Sequence, residues 1–165
     1  MQFAKVIGQE EVKAKLVSSA KEGRISHAQL FLGPEGAGNL ALAIAYAQYL
    51  FCDNKGNDDS CGSCSSCLKI QKLVHPDLTF SYPVAPKPKF DKPKSVDFVA
   101  EWRDAILNNP YISYQEWIEA LDIENKQGSI SVHEAHDVLT RLSLKSVEGG
   151  YKIVIIWLAE TMNQS

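Results

Sequence analysis

The chain has 165 residues, a hydrophobic content of 45% and a formal net charge of -3 at pH 7. This length and apolar content are enough for one domain whose core needs no disulfide bonds. The slight negative charge excludes nucleic-acid binding through a general positive field, so any such contact must come from a local patch or a partner.

The sequence also excludes the simplest kinds of membrane association. Its apolar segments are shorter than the roughly 18 residues that a membrane-spanning helix requires. The N-terminus lacks the charged start, apolar run and small-residue cleavage site of a signal peptide. We therefore expect a soluble, cytoplasmic protein that makes no contact with a membrane.

Apolar periodicity predicts helices that alternate with strands. The first helix covers 9–20, with Val12, Leu16 and Ala20 on one face. The short apolar run 28–32 predicts a strand buried in a parallel sheet, and a glycine-rich turn leads from it into a helix over 40–51.

The later predicted elements follow in chain order. They are a helix over 68–74, a strand over 77–82, an exposed loop over 83–93, helices over 96–107, 114–121 and 131–146, and a strand over 151–157. The last strand is apolar at every position of 153–156, so we expect helices to cover both of its faces.

The glycine-rich turn has the glycine spacing of the Walker A phosphate loop, G-x-x-x-x-G-K-[ST]. In a working loop the backbone N–H groups hold phosphates, a lysine neutralises them and a hydroxyl binds magnesium. The positions that form the corresponding loop here are Gly33, Gly36, Gly38 and Asn39. Asn39 replaces the lysine and Leu40 replaces the hydroxyl, so we expect nucleotide to bind weakly or not at all. An ordinary tight turn between a strand and a helix is the alternative interpretation.

The Walker B half of such a site is altered in the same way. A Walker B strand ends in acidic residues that bind magnesium and position water. The apolar run 153–156 is followed instead by Trp157 and Leu158, and the next acid is Glu160. Because both halves lack their chemistry, we predict that the chain is not an enzyme and has no catalytic residues.

All four cysteines fall in one short stretch with the pattern C-x8-C-x2-C-x2-C. They are Cys52, Cys61, Cys64 and Cys67. In a reducing compartment such a cluster favours metal binding over disulfides, and four thiolates make a closed, structural zinc site. A redox C-x-x-C couple, an iron–sulfur site and free thiols are the alternatives.

Three histidines are candidates for further metal ligands. His75 lies eight residues past the last cysteine, where it more simply ends a helix before a strand. His133 and His136 have a three-residue spacing that suits a metal, but no third ligand is evident, so a solvated helix face is the preferred interpretation.

A series of short motifs occurs in a specific order. They are Ile7-Gly8-Gln9, His27-Ala28, the loop 33–38, the four cysteines, His75-Pro76-Asp77, the segment 142–146 and Gly149-Gly150-Tyr151-Lys152. In this order they resemble the N-terminal AAA+ domain of bacterial DNA polymerase III clamp-loader subunits, most of all those of the delta prime type. The resemblance covers 6–83 and 130–163.

The resemblance implies an α/β fold of the P-loop NTPase (AAA+) class, a three-layer arrangement with helices on both sides of a parallel sheet. The domain would span 1–165 and be incomplete at its C-terminus, with a zinc module at 52–67 and a loop-helical insertion at 83–128. A sensor strand would then be missing from the sheet. We expect the chain to close this gap directly or to pair with another copy through exposed sheet edges.

The resemblance also implies a function. Subunits of the delta prime type act as a non-hydrolysing stator, together with other clamp-loader subunits, in placing a sliding clamp on primed DNA. Their arginine finger lies in a Ser-Arg-Cys motif that this sequence does not contain, so no residue is assigned to that role.

Two other functions remain as alternatives. The first is an active AAA+ ATPase subunit that tolerates Asn39. The second is a zinc-dependent nucleic-acid-binding module, in which Lys87, Lys89, Lys92 and Lys94 contact phosphates. A solvated surface loop accounts equally for these lysines and is preferred.

Overall fold

The structure is a computed structural model that describes residues 1–88, 90–123 and 126–162. The chain divides into two compact units, Met1–His75 and Pro76–Ser165, and each is described by itself. The predicted α/β class is confirmed, since the described residues form six α-helices and a small parallel sheet. The assignment to a three-layer AAA+ domain stays a prediction. Of the described helices, none has the length and apolar character needed to cross a bilayer.

The first unit is built around one buried helix. Its helices are α1 (Glu10–Lys21), α2 (Asn39–Phe51) and α3 (Ser65–Gln71), preceded by a 3-10 turn at Phe3–Lys5. Helix α2 contains no glycine, proline or charged residue, and every residue of 40–51 except Ala43 is buried. A helix that is apolar on all sides can only be stable when its neighbours surround it, so α2 forms the core of this unit.

Helix α1 occurs where it was predicted, but it buries a different face. Val12 of the predicted face is 38% exposed, whereas Lys13 and Val17 are buried. The Lys13 ammonium donates to the carbonyl of Val6 at 2.7 Å and to the carboxylate of Glu10 at 2.7 Å. Since these acceptors satisfy the charge, its aliphatic stem can lie in the interior.

The strand predicted at 28–32 is wrong. These residues have no regular structure, and Leu30 and Leu32 are 82% and 88% exposed. A strand requires a neighbour to pair its backbone N–H and C=O groups. No strand among the described residues of this unit offers that pairing, so the apolar run stays in solvent.

The second unit contains the sheet. Its elements are β1 (Leu78–Ser81), a 3-10 turn at Ser95–Phe98, α4 (Val99–Asn108), α5 (Tyr114–Ala120), α6 (Val132–Ser143), β2 (Ile153–Ile156) and a 3-10 turn at Ala159–Thr161. Strands β1 and β2 pair in parallel, with Leu78 opposite Ile153 and Ser81 opposite Ile156. Parallel neighbours need a long crossover, which the segment carrying α4, α5 and α6 provides.

The core of the second unit is aromatic. Tyr82 stacks on Trp102 with ring centroids 4.0 Å apart, and Trp117 meets both rings edge-on. Trp102 and Trp117 belong to α4 and α5, so the predicted insertion supplies much of this core. The start of the predicted exposed loop also belongs to the interior, because Val84 is buried and exchanges two backbone hydrogen bonds with Ser129.

The expectation that helices cover both faces of β2 is wrong. Ile155 is buried, but Ile156 is 40% exposed and the other two residues are only partly covered. Among the described residues β2 pairs with β1 alone, so the sheet is too narrow to be enclosed. Helix α6 shows the same limit, since Val138 is buried while Leu139 and Leu142 are exposed.

Candidate metal centre and glycine loop

The four cysteines converge in the first unit. Cys52 directly follows α2, Cys64 is the residue before α3, and Cys67 lies within α3. The four Sγ atoms lie within 4.8 Å of one another, and no disulfide joins them. In a tetrahedral zinc site with Zn–S bonds of about 2.3 Å the sulfurs stand about 3.8 Å apart, so a small contraction would let them hold one ion.

Hydrogen bonds within the cluster favour thiolates. The N–H of Cys61 donates to the Sγ of Cys52 at 3.2 Å, and the N–H of Cys64 donates to the Sγ of Cys61 at 3.3 Å. Backbone N–H groups of Ser63 and Cys64 lower the pKa of Cys61 to about 6. Burial raises the pKa of both Cys52 and Cys67. A bound cation would reverse that rise, because metal coordination stabilises the thiolate.

The loop that carries the cysteines also holds the start of the chain. The carboxylate of Asp59 accepts hydrogen bonds from the backbone N–H groups of Phe3 and Ala4, both at 3.0 Å. The side-chain amide of Gln2 donates to the carbonyl of Ser60 at 2.8 Å. The cysteine loop therefore fixes the N-terminal segment as well as its own sulfurs. No local pattern predicts this contact, since its partners are more than fifty residues apart.

The histidines do not join the metal-capable group. His75 is buried, and its ring packs against Phe51 with centroids 4.2 Å apart. His133 and His136 lie in the second unit, on α6. Among the residues that the structure describes, the one cluster of potential metal ligands consists of the four cysteines.

The glycine loop retains the backbone form of a turn that leads into a helix. Gly36 and Gly38 have φ angles of +78° and +84°, which glycine adopts without strain. The N–H of Ala37 donates to the carbonyl of Pro34 at 3.1 Å, and Gly38 immediately precedes α2. Residues 1–32, which the structure describes, contain no strand, so the loop and the helix of the predicted strand–loop–helix arrangement are present and the strand is not.

The side chain at the lysine position lies back on the loop itself. The Asn39 amide donates to the carbonyl of Gly33 at 3.2 Å. The contact is close enough that a Cβ atom at Gly33 would stand 2.9 Å from the Oδ1 of Asn39. Leu40, at the hydroxyl position, is buried in the apolar core. Asn39 therefore brings no cation to its position, and Leu40 offers no oxygen ligand at the next one.

The end of β2 is likewise apolar. The Trp157 ring lies 5.5 Å, centroid to centroid, from that of Trp102 in α4. Leu158 adopts φ +58°, and a 3-10 turn follows it. Trp157, the first residue after β2, therefore packs against the predicted insertion.

Comparison with known proteins places the chain among subunits of DNA polymerase III. A family model described as "DNA polymerase III, delta subunit" matches residues 8–165. The chain belongs to this family, which confirms the resemblance seen in the motifs.

Individual relatives match over shorter segments. The delta' subunit of DNA polymerase III from Escherichia coli is 39% identical over 87 residues, which cover 53% of this chain and 25% of that protein. The delta' subunit from Bacillus subtilis is 39% identical over 75 residues, 46% of this chain and 22% of that protein. The gamma/tau subunit from Mycobacterium tuberculosis is 43% identical over 68 residues, 41% of this chain and 12% of that protein. The matched segments thus span a quarter or less of these relatives.

Proposed function

We propose that the chain is part of a clamp-loader subunit of the delta prime type, which supports loading of the sliding clamp onto primed DNA without hydrolysing ATP. Its partners would be the other clamp-loader subunits and, through them, the clamp and the DNA. The single observation that carries the proposal is the hydrogen bond from the Asn39 amide to the carbonyl of Gly33. It closes the phosphate loop on itself at the position where an ATPase presents a lysine.

The alternative is a motor subunit that hydrolyses ATP. Relatives named gamma/tau and relatives named delta' have similar identities, so the identities alone favour neither type. The side chains favour the stator. A motor needs a cation on the phosphates and oxygen ligands for magnesium. Asn39 supplies no cation, and Leu40 and Trp157 supply no oxygen ligand.

The same proposal assigns a structural role to the cysteines. Four convergent thiol groups would fill every position of a tetrahedral zinc ion and leave none open for catalysis. Their chemistry fits the ion, because the thiol of Cys61 already ionises readily and N–H groups point at two of the sulfurs. The bound ion would fix the loop that holds the N-terminal segment.

The test separates stator from motor. The full-length protein is purified without chelator, combined with its co-purifying partners, and assayed for ATP hydrolysis with and without this subunit. We expect the isolated subunit to show only background hydrolysis, and the Asn39→Ala variant to match it. Hydrolysis by the isolated protein that disappears in Asn39→Ala, but persists in an Asn108→Ala control on the surface of α4, would establish the motor instead. Failure to co-purify with any DNA polymerase III subunit would remove the clamp-loader role itself.

A further inference from the structure

A cavity of about 350 Å³ lies on the surface of the second unit. Its lining consists of Lys92, Lys94, His133, His136, Asp137 and Thr140. The function proposed above uses none of these side chains. Two ammonium groups and two imidazoles therefore surround a space to which neither the glycine loop nor the cysteines contribute.

Secondary structure brings the histidines to one face. His133, His136 and Thr140 follow one another on α6 at spacings of three and four residues, which places them on neighbouring turns of the same side. Both imidazoles are exposed, so a solute can reach them. The three-residue spacing of the two histidines thus lines one side of the cavity with imidazole nitrogens, which donate or accept hydrogen bonds.

Buried hydrogen bonds fix the backbone next to Lys94 beside α6. The backbone N–H of Ser95, one residue after Lys94, donates to the buried carboxylate of Glu134 on α6 at 2.9 Å. The Tyr82 hydroxyl donates to the carbonyl of Ser95 at 2.6 Å. Because Ser95 is fixed from two sides, the backbone that carries Lys94 is held beside α6, and both Lys92 and Lys94 line the cavity.

The charges in the cavity do not cancel. The carboxylate of Asp137 accepts from the Nε of Arg141 at 2.6 Å and from the Nζ of Lys94 at 3.2 Å, so two cations already neutralise this acid. Lys92 makes no ion pair or hydrogen bond with any described residue, and the same holds for the imidazole of His133. An unpaired ammonium beside uncommitted imidazoles leaves a surplus of positive charge and N–H donors.

A bound cation would not fit this arrangement. The imidazoles and Asp137 do not come close enough to form a group of potential metal ligands within the described part of the chain. Two ammonium groups at the same cavity would repel a metal ion. The occupant must instead carry negative charge and accept several hydrogen bonds, and a tetrahedral oxyanion does both.

We propose that this cavity binds a phosphate group, with the ammonium groups of Lys92 and Lys94 opposite the imidazoles of His133 and His136. Lys92 provides the unpaired charge, and Lys94 turns toward the anion while Arg141 retains Asp137. The group has two sources, a free phosphate or the phosphodiester of a nucleic-acid strand. The site is independent of ATP hydrolysis and of the cysteine cluster.

Nuclear magnetic resonance of the whole chain tests the proposal. The imidazole C–H resonances of His133 and His136 are followed while inorganic phosphate is added, and in a second titration while a short oligothymidylate is added, at constant pH and ionic strength. The variant is Lys92→Glu, which breaks no contact among the described residues. The control is Lys145→Glu, which makes the same charge change at an exposed position outside the cavity lining.

We expect phosphate to shift both imidazoles in a saturable manner. Lys92→Glu should weaken this binding by about tenfold or more, since an attraction becomes a repulsion, while Lys145→Glu should change it by less than about twofold. If the imidazole resonances shift with inorganic phosphate but not with oligothymidylate, the source is a free anion. If they shift with both ligands, the nucleic-acid backbone is a second source. The proposal is overturned if the imidazoles do not respond to either ligand, or if Lys92→Glu binds as well as the control.

Discussion

Asp77 anchors the loop before β2 and offers the sharpest test of the second unit. Its side chain is fully buried, and its carboxylate accepts the backbone N–H groups of Val147 at 2.7 Å and Glu148 at 2.9 Å. Its carbonyl accepts the N–H of Ile153, the first residue of β2, at 2.9 Å. One residue at the start of β1 therefore fixes both the approach to β2 and its register.

The expected loss can be worked from these bonds. Hydrogen bonds to a charged acceptor each contribute about 1.5–3 kcal/mol, so the pair sets an upper bound of about 3–6 kcal/mol. Val147 and Glu148 are exposed, and water can solvate their N–H groups once the acid is removed. We therefore expect Asp77→Ala to lower the free energy of unfolding by about 2–4 kcal/mol.

Urea unfolding followed by tryptophan fluorescence measures this loss, because all three tryptophans lie in the second unit. Hydrogen exchange at Val147 and Glu148 should become faster in the same variant. The matched control is Asp91→Asn at an exposed site, which should change the unfolding free energy by less than about 0.5 kcal/mol. An Asp77→Ala protein with unchanged stability and unchanged exchange at both amides would refute the anchoring role.

Three further predictions follow from other contacts. Elemental analysis should find about one zinc per chain. Its removal by a chelator should speed hydrogen exchange at the N–H of Phe3, because this N–H is bonded to Asp59 in the cysteine loop. Iron, no metal, or unchanged exchange would contradict this prediction. Trp117→Phe should lower the free energy of unfolding by about 1–3 kcal/mol. The buried indole N–H donates to the carbonyl of Pro83 at 2.8 Å, and the variant leaves that acceptor unpaired. A urea midpoint equal to that of wild type would contradict this prediction. The pKa of Asp137 is lowered from 3.8 by its hydrogen bond to Arg141 and then by that to Lys94. Its contribution to the free energy of unfolding is therefore present above pH 3.8 and lost as the pH falls through the folded-state pKa. Asp137→Asn should be less stable than wild type at pH 7 and equally stable in acid, and a constant difference at every pH would contradict this.

Local sequence patterns predicted which helices and strands form better than they predicted what packs around each one. Helix α2 is predicted over 40–51 and occurs at Asn39–Phe51, because the segment is rich in Ala and Leu, lacks Gly and Pro, and is apolar enough to require burial. The run 28–32 was equally apolar, yet a strand exists only where another strand pairs with it, and no pattern within five residues contains that information. Lys13 shows a third case, in which acceptors from other turns of the chain allow a charged side chain to be buried.

The candidate sites show the same difference between features that local sequence predicts and features that depend on the fold. The cysteine spacing predicted the convergence of the sulfurs, since a short loop can bring them to one point. The loss of phosphate chemistry expected from Asn39 and Leu40 stays a prediction. The turn of the Asn39 amide onto Gly33 depends on the loop's backbone angles, which local sequence does not specify. The ion pair between Lys94 and Asp137 joins residues 43 apart, and only the fold brings them together.

The grip of the cysteine loop on the N-terminal segment has a consequence for synthesis of the protein. Phe3 leaves the ribosome 56 residues ahead of its partner Asp59. At about 5–20 residues per second, that interval lasts about 3–11 s. During this time the segment around Phe3 lacks its own docking site, and the wait extends until Cys67 has also emerged and the cysteine loop can fold. With the zinc site proposed above, the supply of metal at that moment would set how long the nascent segment stays exposed to chaperones and proteases.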